Sequence, residues 1–307
     1  MRILFMGTPE FAVPSLRILL DHSYEVSGVV TTPDKPRGRG QQVSCTPIKE
    51  YALNHQLPIL QPENLKDSKF ISDIQQLAPD LVVVVAFRIL PREVYTIPKL
   101  GSFNLHASLL PKYRGAAPIN WAIMNGEHET GVTTFFLQDT VDTGSVLLQA
   151  RVKIGADETA GELHDTLSEV GAEIVLQTVR LIELGKTQPR MQNDTHACPA
   201  PKIFKHDCRI DWKKSSQQVH NFIRGLSPYP ASWTMHKGKT IKMYRTKISE
   251  AQSTASGIVL QRTNDTLIVG TGSGAVSILE IQQEGKRRLG VEEFLRGYTI
   301  EAGDLFE

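Results

Sequence analysis

Asn104 and His106 stand two residues apart at the end of a short apolar run, and a dense polar stretch follows them: Ala107-Ser108-Leu109-Leu110-Pro111-Lys112-Tyr113-Arg114-Gly115. On a strand, that spacing sends both side chains out of one face. An amide N–H donor beside an imidazole suits a reacting carbonyl, because the amide stabilises charge developing on oxygen while the ring moves a proton. An Asn and a His that merely satisfy turn backbone groups would show the same spacing. A carboxylate follows a second apolar run, in Gln138-Asp139-Thr140-Val141-Asp142-Thr143-Gly144, and is expected to reach the same sheet edge. Beside His106, Asp142 would favour the imidazolium and orient the ring. Alternatively, Asp142-Thr143-Gly144 closes an Asx turn. Spacing alone does not choose between these two roles.

The elements that must position these residues alternate between strand and helix patterns. Ile3 to Met6, Tyr24 to Val30, Pro58 to Leu60, Phe103 to Leu105 and Val132 to Leu137 read as strands. The run Asp80-Leu-Val-Val-Val-Val-Ala86 is β-branched without alternation, as expected of a strand covered on both faces. Helical spacing marks Pro9 to Leu20, Ile48 to His55, Phe70 to Ala78, Pro118 to Asn125 and the long Thr159 to Leu184. This predicts an α/β class with a Rossmann-like, mostly parallel sheet and helices on both faces over residues 1–185. Periodicity is lost over 186–204, which holds Pro189, Pro199 and Pro201 and reads as a linker. Beyond it, one helix (Gln217 to Arg224) and short, evenly spaced strands predict a small, OB-like β-barrel over 205–307.

Composition narrows the function class. The chain has 307 residues, 40% apolar and 22% charged, with three cysteines (Cys45, Cys198, Cys208) and no Cys-x-x-Cys pair. That is ample for a core and poor for a disulfide framework or a zinc site. No apolar run reaches the length of a membrane helix, and the N-terminus enters a strand pattern directly, so a soluble cytoplasmic protein is expected. Gly7 lacks the further glycines of a dinucleotide fingerprint, and Gly270-Thr-Gly272-Ser-Gly274 lies between strand patterns, where a hairpin turn is expected. Net charge is +1, yet Lys205 to Lys247 carries 10 Lys/Arg against 2 Asp/Glu. Within it, Lys237, Lys239, Lys242, Arg245 and Lys247 follow one another with no acid between, as a phosphate-tracking stripe would. A Gly- and Pro-rich loop over 32–43 bears Lys35, Arg37 and Arg39.

The stretch Asn104-Leu-His106-Ala-Ser-Leu-Leu-Pro111-Lys-Tyr-Arg114-Gly115-Ala-Ala-Pro118, followed by Asp139 to Gly144, resembles the folate-dependent formyltransferases. The likeness runs over nearly the whole chain. Supporting segments are Phe5-Met-Gly-Thr8-Pro9, Thr32 to Gly40, Arg209-Ile-Asp211-Trp212 and Pro228-Tyr-Pro230-Ala-Ser-Trp233. The resemblance implies Asn104, His106 and Asp142 as the catalytic trio. It places the folate at Phe87, Arg88, Ile89, Leu90, Ser108, Leu109, Leu110, Pro111 and Asp139. Many members carry Tyr-Gly-Leu-Ile-Leu-Pro where this chain has Phe87-Arg88-Ile89-Leu90-Pro91, one residue shorter and without the glycine.

The Gly-Arg-Gly loop and the basic C-terminal region are similar to the branch whose acceptor is the methionine of initiator methionyl-tRNA. On that likeness the formyl donor is 10-formyltetrahydrofolate, no metal takes part, and no membrane partner is expected. The tRNA contacts are then Lys35, Arg37, Arg39, Lys237, Lys239, Lys242, Arg245 and Lys247. Arg114 either faces a substrate or holds its own loop. Nothing in the sequence demands an oligomer, and a monomer is expected. Two rivals stand beside this: a formyltransferase acting on a small amine, such as an amino sugar nucleotide, and a tRNA-binding module whose active-site loop is vestigial.

Overall fold

The computed structural model describes residues 1–37 and 42–307. The chain begins with β1 (Arg2–Gly7), α1 (Val13–Asp21), β2 (Glu25–Val30), β3 (Lys35–Arg37), β4 (Gln42–Ser44) and α2 (Pro47–Asn54). It continues through β5 (Ile59–Leu60), α3 (Ser68–Leu77), β6 (Leu81–Val85), α4 (Arg92–Tyr95), β7 (Ser102–His106), β8 (Arg114–Gly115) and α5 (Pro118–Met124). There follow β9 (Glu129–Phe136), β10 (Val146–Lys153), α6 (Ala160–Glu183), β11 (Pro199–Ala200) and α7 (Ser216–Gly225). The last elements are β12 (Ser232–His236), β13 (Lys239–Ser249), β14 (Val259–Arg262), β15 (Leu267–Gly270), β16 (Ala275–Gln283), β17 (Leu289–Gly290) and α8 (Val291–Gly297).

Two compact units emerge. The first is Met1–Gly115, Gly131–Val152 and Asp165–Pro199; the second is Ala116–Thr130, Lys153–His164 and Ala200–Glu307. In the first, seven strands are ordered β10-β9-β7-β6-β1-β2-β5. β1 runs parallel to β2 and β6, β2 to β5, and β6 to β7. Every residue of β6 is buried, which is why Leu81-Val-Val-Val-Val85 shows no alternation. Helix starts follow local chemistry: Thr46 caps α2 by accepting from the Lys49 N–H at 3.2 Å, with Pro47 in the first turn. β9 departs from the parallel pattern, pairing antiparallel with β7 so that His106 lies opposite Thr133 and Phe103 opposite Phe136.

The stretch expected to be a linker is anchored. Arg190 and Val146 exchange backbone hydrogen bonds at 2.8 and 2.9 Å, and residues through Pro199 belong to the first unit. A polar, proline-rich sequence gives no periodic signal even when its hydrogen bonds are fixed by side chains, so the boundary drawn at 186–204 does not coincide with the grouping of the units.

In the second unit the strand order is β12-β13-β16-β15-β14, with β17 on β16, and each of these strand pairs is antiparallel. β12 and β14 are its edges, and the chain's last residues bond to both. Met235 and Glu307 exchange backbone bonds at 3.2 and 2.9 Å, Phe306 donates to Gly257 at 2.8 Å, and Val259 donates to Asp304 at 2.9 Å. The tail thereby closes the expected barrel and leaves neither edge free there. Phe306 is buried between Trp212 and His236, its ring centroid 5.9 and 5.2 Å from theirs. The glycine-rich 270–274 segment joins β15 to β16 as a hairpin turn. A side chain at Gly272 would strike the Lys213 carbonyl.

Glu162 closes the capping box of α6 with Thr159, accepting its N–H at 2.8 Å, and also binds Arg245 of β13. The Thr159 N–H, with help from Arg245, holds the Glu162 carboxyl down at about 2, against an ordinary 4.5. A depressed folded pKa stabilises above the unfolded value and loses that contribution as pH falls towards the folded one. The stability difference between wild type and Glu162→Gln is therefore expected to be full at pH 5 and above and to fade between about pH 4.5 and 2, read from urea midpoints across that window. Phe306→Ala is expected to cost about 3–5 kcal/mol in chemical denaturation, because it both empties a core site and loosens the closing tail.

Candidate active site

Asn104 and His106 do project from one face of β7. Asn104 is half-buried, and its amide enters no hydrogen bond among the described residues; His106 is 6% exposed. His106 Nε2 lies 2.8 Å from the Tyr113 carbonyl oxygen, and a carbonyl only accepts, so Nε2 carries the proton. Tyr113 can turn its carbonyl this way because its backbone is left-handed, at φ 60°. The ring edge that remains is Nδ1, which faces Asp142 Oδ2 at 3.8 Å. In the neutral ring Nδ1 is an acceptor, so Nδ1 and the carboxylate together form a place to receive a proton. A hydrogen bond donated from His106 to a reactant requires the imidazolium.

Asp142 arrives by a route that the sequence did not suggest. Because β9 is antiparallel to β7, its chain leaves the sheet at the end away from His106. The following loop doubles back over the face carrying Asn104 and Phe135, which are register partners. The return is tight: a side chain at Gly144 would lie 1.6 Å from the Phe136 carbonyl oxygen, and Asp142 itself is left-handed at φ 56°. Its Oδ2 accepts the Gly115 N–H at 2.9 Å, and its backbone carbonyl accepts Gln192 Nε2 at 2.8 Å. Gln192 and Gly115 were not singled out in the sequence. Gln192 sits in the polar stretch that reads as linker, and Gly115 acts through a backbone N–H that every residue type but proline carries.

Residues 107–113 are fixed from below by Thr133. Its hydroxyl donates to the Ser108 carbonyl at 2.6 Å and accepts the Leu110 N–H at 3.1 Å. Ser108 is fully buried and its hydroxyl closes the loop on the Lys112 carbonyl at 2.6 Å. Gln149 donates to the Leu110 carbonyl at 2.8 Å. Ser108 thus holds the shape of the loop that carries Leu109, Leu110 and Pro111.

The segment after β6 lies at the same strand end as His106, since Val85 is opposite Leu105. Phe87 and Leu90 pack into the core while Ile89 is 75% exposed. The backbone groups of Phe87 to Leu90 join no backbone hydrogen bond among the described residues. Arg88 does not offer its charge there: its terminal nitrogens donate to the Pro62 and Glu63 carbonyls at 2.7 and 2.9 Å, its Nε is buried without a partner, and burial pulls its pKa down. Asp139 is likewise committed, accepting from Arg92 at 3.0 Å and from the Tyr95 hydroxyl at 2.5 Å.

Of the basic residues, Lys35 and Arg37 lie on β3, which pairs with β4; Arg39 lies outside the described residues. In the second unit, β13 carries a register irregularity between Met243 and Thr246. It puts Lys242, Arg245 and Lys247 on the outer face while Met243 and Thr246 stay buried. The stripe is not free of acids, as the local sequence suggested. Arg245 binds Glu162 and approaches Glu280, and Lys237 binds Asp304 at 2.8 Å, all acids distant in sequence. Lys239 lies over the Tyr298 ring, and Lys242 and Lys247 enter no ion pair among the described residues.

No helix among the described residues is long and apolar enough to cross a membrane. The family model described as formyl transferase matches residues 1–179, and that of the formyl transferase C-terminal domain matches 202–299. A methionyl-tRNA formyltransferase of Bacteroides thetaiotaomicron is 48% identical over 313 residues, covering 99% of this chain and 97% of its own. One from Caldanaerobacter subterraneus is 46% identical over 309 residues, covering both chains completely. Among solved structures, an N-formyltransferase from Helicobacter canadensis with folinic acid and dTDP-3-aminofucose is similar in fold. It has a TM-score of 0.66 at 21% identity, covering 92% of this chain and 98% of its own. With both family models and full-length relatives matching, the chain belongs to the formyl transferase family.

Proposed function

We propose that this chain transfers a formyl group from N10 of 10-formyltetrahydrofolate to the α-amino group of methionyl initiator tRNA. The observation that carries the chemistry is the approach of Asp142 to His106 Nδ1 at 3.8 Å, on the strand whose Asn104 amide enters no hydrogen bond among the described residues. Full-length relatives named as methionyl-tRNA formyltransferases support the acceptor. The open backbone edge at Phe87 to Leu90 and the exposed Ile89 fit a pterin ring, and bound folate supplies an activated one-carbon unit on an amide nitrogen.

The chain's own residues then have three tasks. Asn104 donates to the formyl oxygen as negative charge develops there, and loss of one such donor costs about 2.7–4 kcal/mol in the transition state. The attacking amine must be neutral; its pKa near 7.7–8.0 makes deprotonation inexpensive near neutrality. As the new N–C bond forms and the C–N10 bond breaks, one proton has to pass from the amine to the departing nitrogen. His106 Nδ1 and the Asp142 carboxylate receive it, and Tyr113 keeps the opposite ring nitrogen protonated so that Nδ1 is the basic edge.

In the second unit, binding of the tRNA rests on cations that enter no ion pair among the described residues. Lys242 and Lys247 on the outer face of β13, with Lys239, are the phosphate contacts of the second unit. Lys35, Arg37 and Arg39 serve the 32–43 loop. Lys237 and Arg245 contribute less, being already paired.

Purified protein with 10-formyltetrahydrofolate, offered initiator methionyl-tRNA and an amino sugar nucleotide together, is expected to formylate the tRNA. Formylation of the sugar alone would overturn the assignment. Asn104→Ala and Asp142→Ala are each expected to lower kcat by about 10²-fold or more with folding intact, read in single-turnover assays. For tRNA binding, Lys242→Ala and Lys247→Ala should each flatten the log Kd against log salt slope by roughly 0.7–0.9, and Lys237→Ala by less. A slope unchanged in both of the first two variants would remove β13 from the interface.

A further inference from the structure

Arg114, Gln192 and Asp142 form a chain of hydrogen bonds in which every polar atom of the Gln192 side chain is used. Gln192 Oε1 accepts from Arg114 Nε at 3.2 Å and from Nη2 at 2.7 Å. Gln192 Nε2 donates to the backbone carbonyls of Asp142 at 2.8 Å and Gly144 at 2.9 Å. The residue next to Arg114 completes the circuit, since the Gly115 N–H donates to Asp142 Oδ2 at 2.9 Å. One dipeptide therefore grips Asp142 at both ends, at the carboxylate directly and at the main chain through Gln192. Arg114 is itself held, its N–H donating to the Cys198 carbonyl at 3.0 Å and its Nη2 to Asp194 at 2.7 Å.

The need for such a grip follows from the local backbone. Asp142 is a non-glycine residue in the left-handed region, two residues before a glycine that leaves no room for a Cβ against the Phe136 carbonyl. A turn of this kind is held by its surroundings rather than by its own preference. Of the surrounding bonds, the Arg114–Asp194 pair is a weak anchor, because Asp194 is 78% exposed. Gln192 is only partly exposed and, among the described residues, is the one side chain that bridges Asp142 and Gly144.

We infer that Gln192, oriented by Arg114, is a positioning residue of the active site: it sets the Asp142 turn so that the carboxylate points at His106 Nδ1. The inference rests on the proposed role of Asp142 in proton transfer. On this inference Arg114 acts through Gln192.

Gln192→Glu preserves size and the acceptor for Arg114 while replacing the two donated bonds with an oxygen facing two carbonyls. It is expected to lower kcat by about 10²-fold, as for a misplacement of order 1 Å, with KM for both substrates little changed. Added to Asp142→Ala, the same substitution is expected to lower kcat by less than about 3-fold, because its effect is transmitted through that carboxylate. Gln192→Met, similar in size but without hydrogen bonds, is measured in parallel, with active-site titration and thermal melting to count folded enzyme. Wild-type kcat in both Gln192 variants, beside an impaired Asp142→Ala, overturns the inference and leaves the proposed chemistry standing. So does a Gln192→Glu loss of equal size in the Asp142→Ala background, or a loss that vanishes once turnover is expressed per folded enzyme. A fully active Asp142→Ala instead overturns the proton-transfer role itself.

Discussion

The candidate site depends on one constraint, the reversal of the chain between β9 and β10. The antiparallel pairing of β9 with β7 carries the backbone away from His106, so a carboxylate placed after β9 reaches the imidazole only if the loop returns across the sheet face. The return needs a glycine at 144, a left-handed residue at 142, and donors for the carbonyls it exposes. With these in place Asp142 comes to 3.8 Å from His106 Nδ1. Without them Asn104 and His106 would still share a strand face, but as an amide and a ring with no carboxylate partner.

The imidazole is fixed from its other side by the same loop system. Tyr113 accepts from Nε2, Ser108 and Thr133 fix the loop that carries Tyr113, and Arg114 and Gly115 follow immediately. One stretch of sequence, 104–115, thus supplies the Asn104 amide, the ring, the group that sets the ring's tautomer, and the N–H that meets the carboxylate. Arg88 and Asp139 are engaged by carbonyls and by α4, so neither offers a free charge to the proposed folate end of the site.

Much of this was legible in the sequence, for identifiable reasons. The β-branched run at 81–85, the two-residue spacing of Asn104 and His106, and the helical stripe of 159–184 are periodic signals of packing, and each appears where expected. The paired strand β10 and the short helices α4 and α8 were missed, being half-exposed or brief. The route of Asp142 was hidden because a strand pattern carries no direction: parallel and antiparallel neighbours read alike. Gln192 was hidden because hydrogen bonds to carbonyls leave no periodicity. The basic stripe was overestimated for a related reason, since Glu162, Glu280 and Asp304, which neutralise part of it, are far away in number.

In the proposed reaction the formyl oxygen lies against the Asn104 amide, within reach of His106 and Asp142. Isotope-edited infrared spectroscopy of 10-formyltetrahydrofolate labelled with carbon-13 in the formyl group, bound to the protein without tRNA, reads that contact directly. The carbonyl stretch is predicted to move to lower frequency on binding and to return towards its solution value in Asn104→Ala. The same frequency in solution, in the wild-type complex and in the variant would contradict the account.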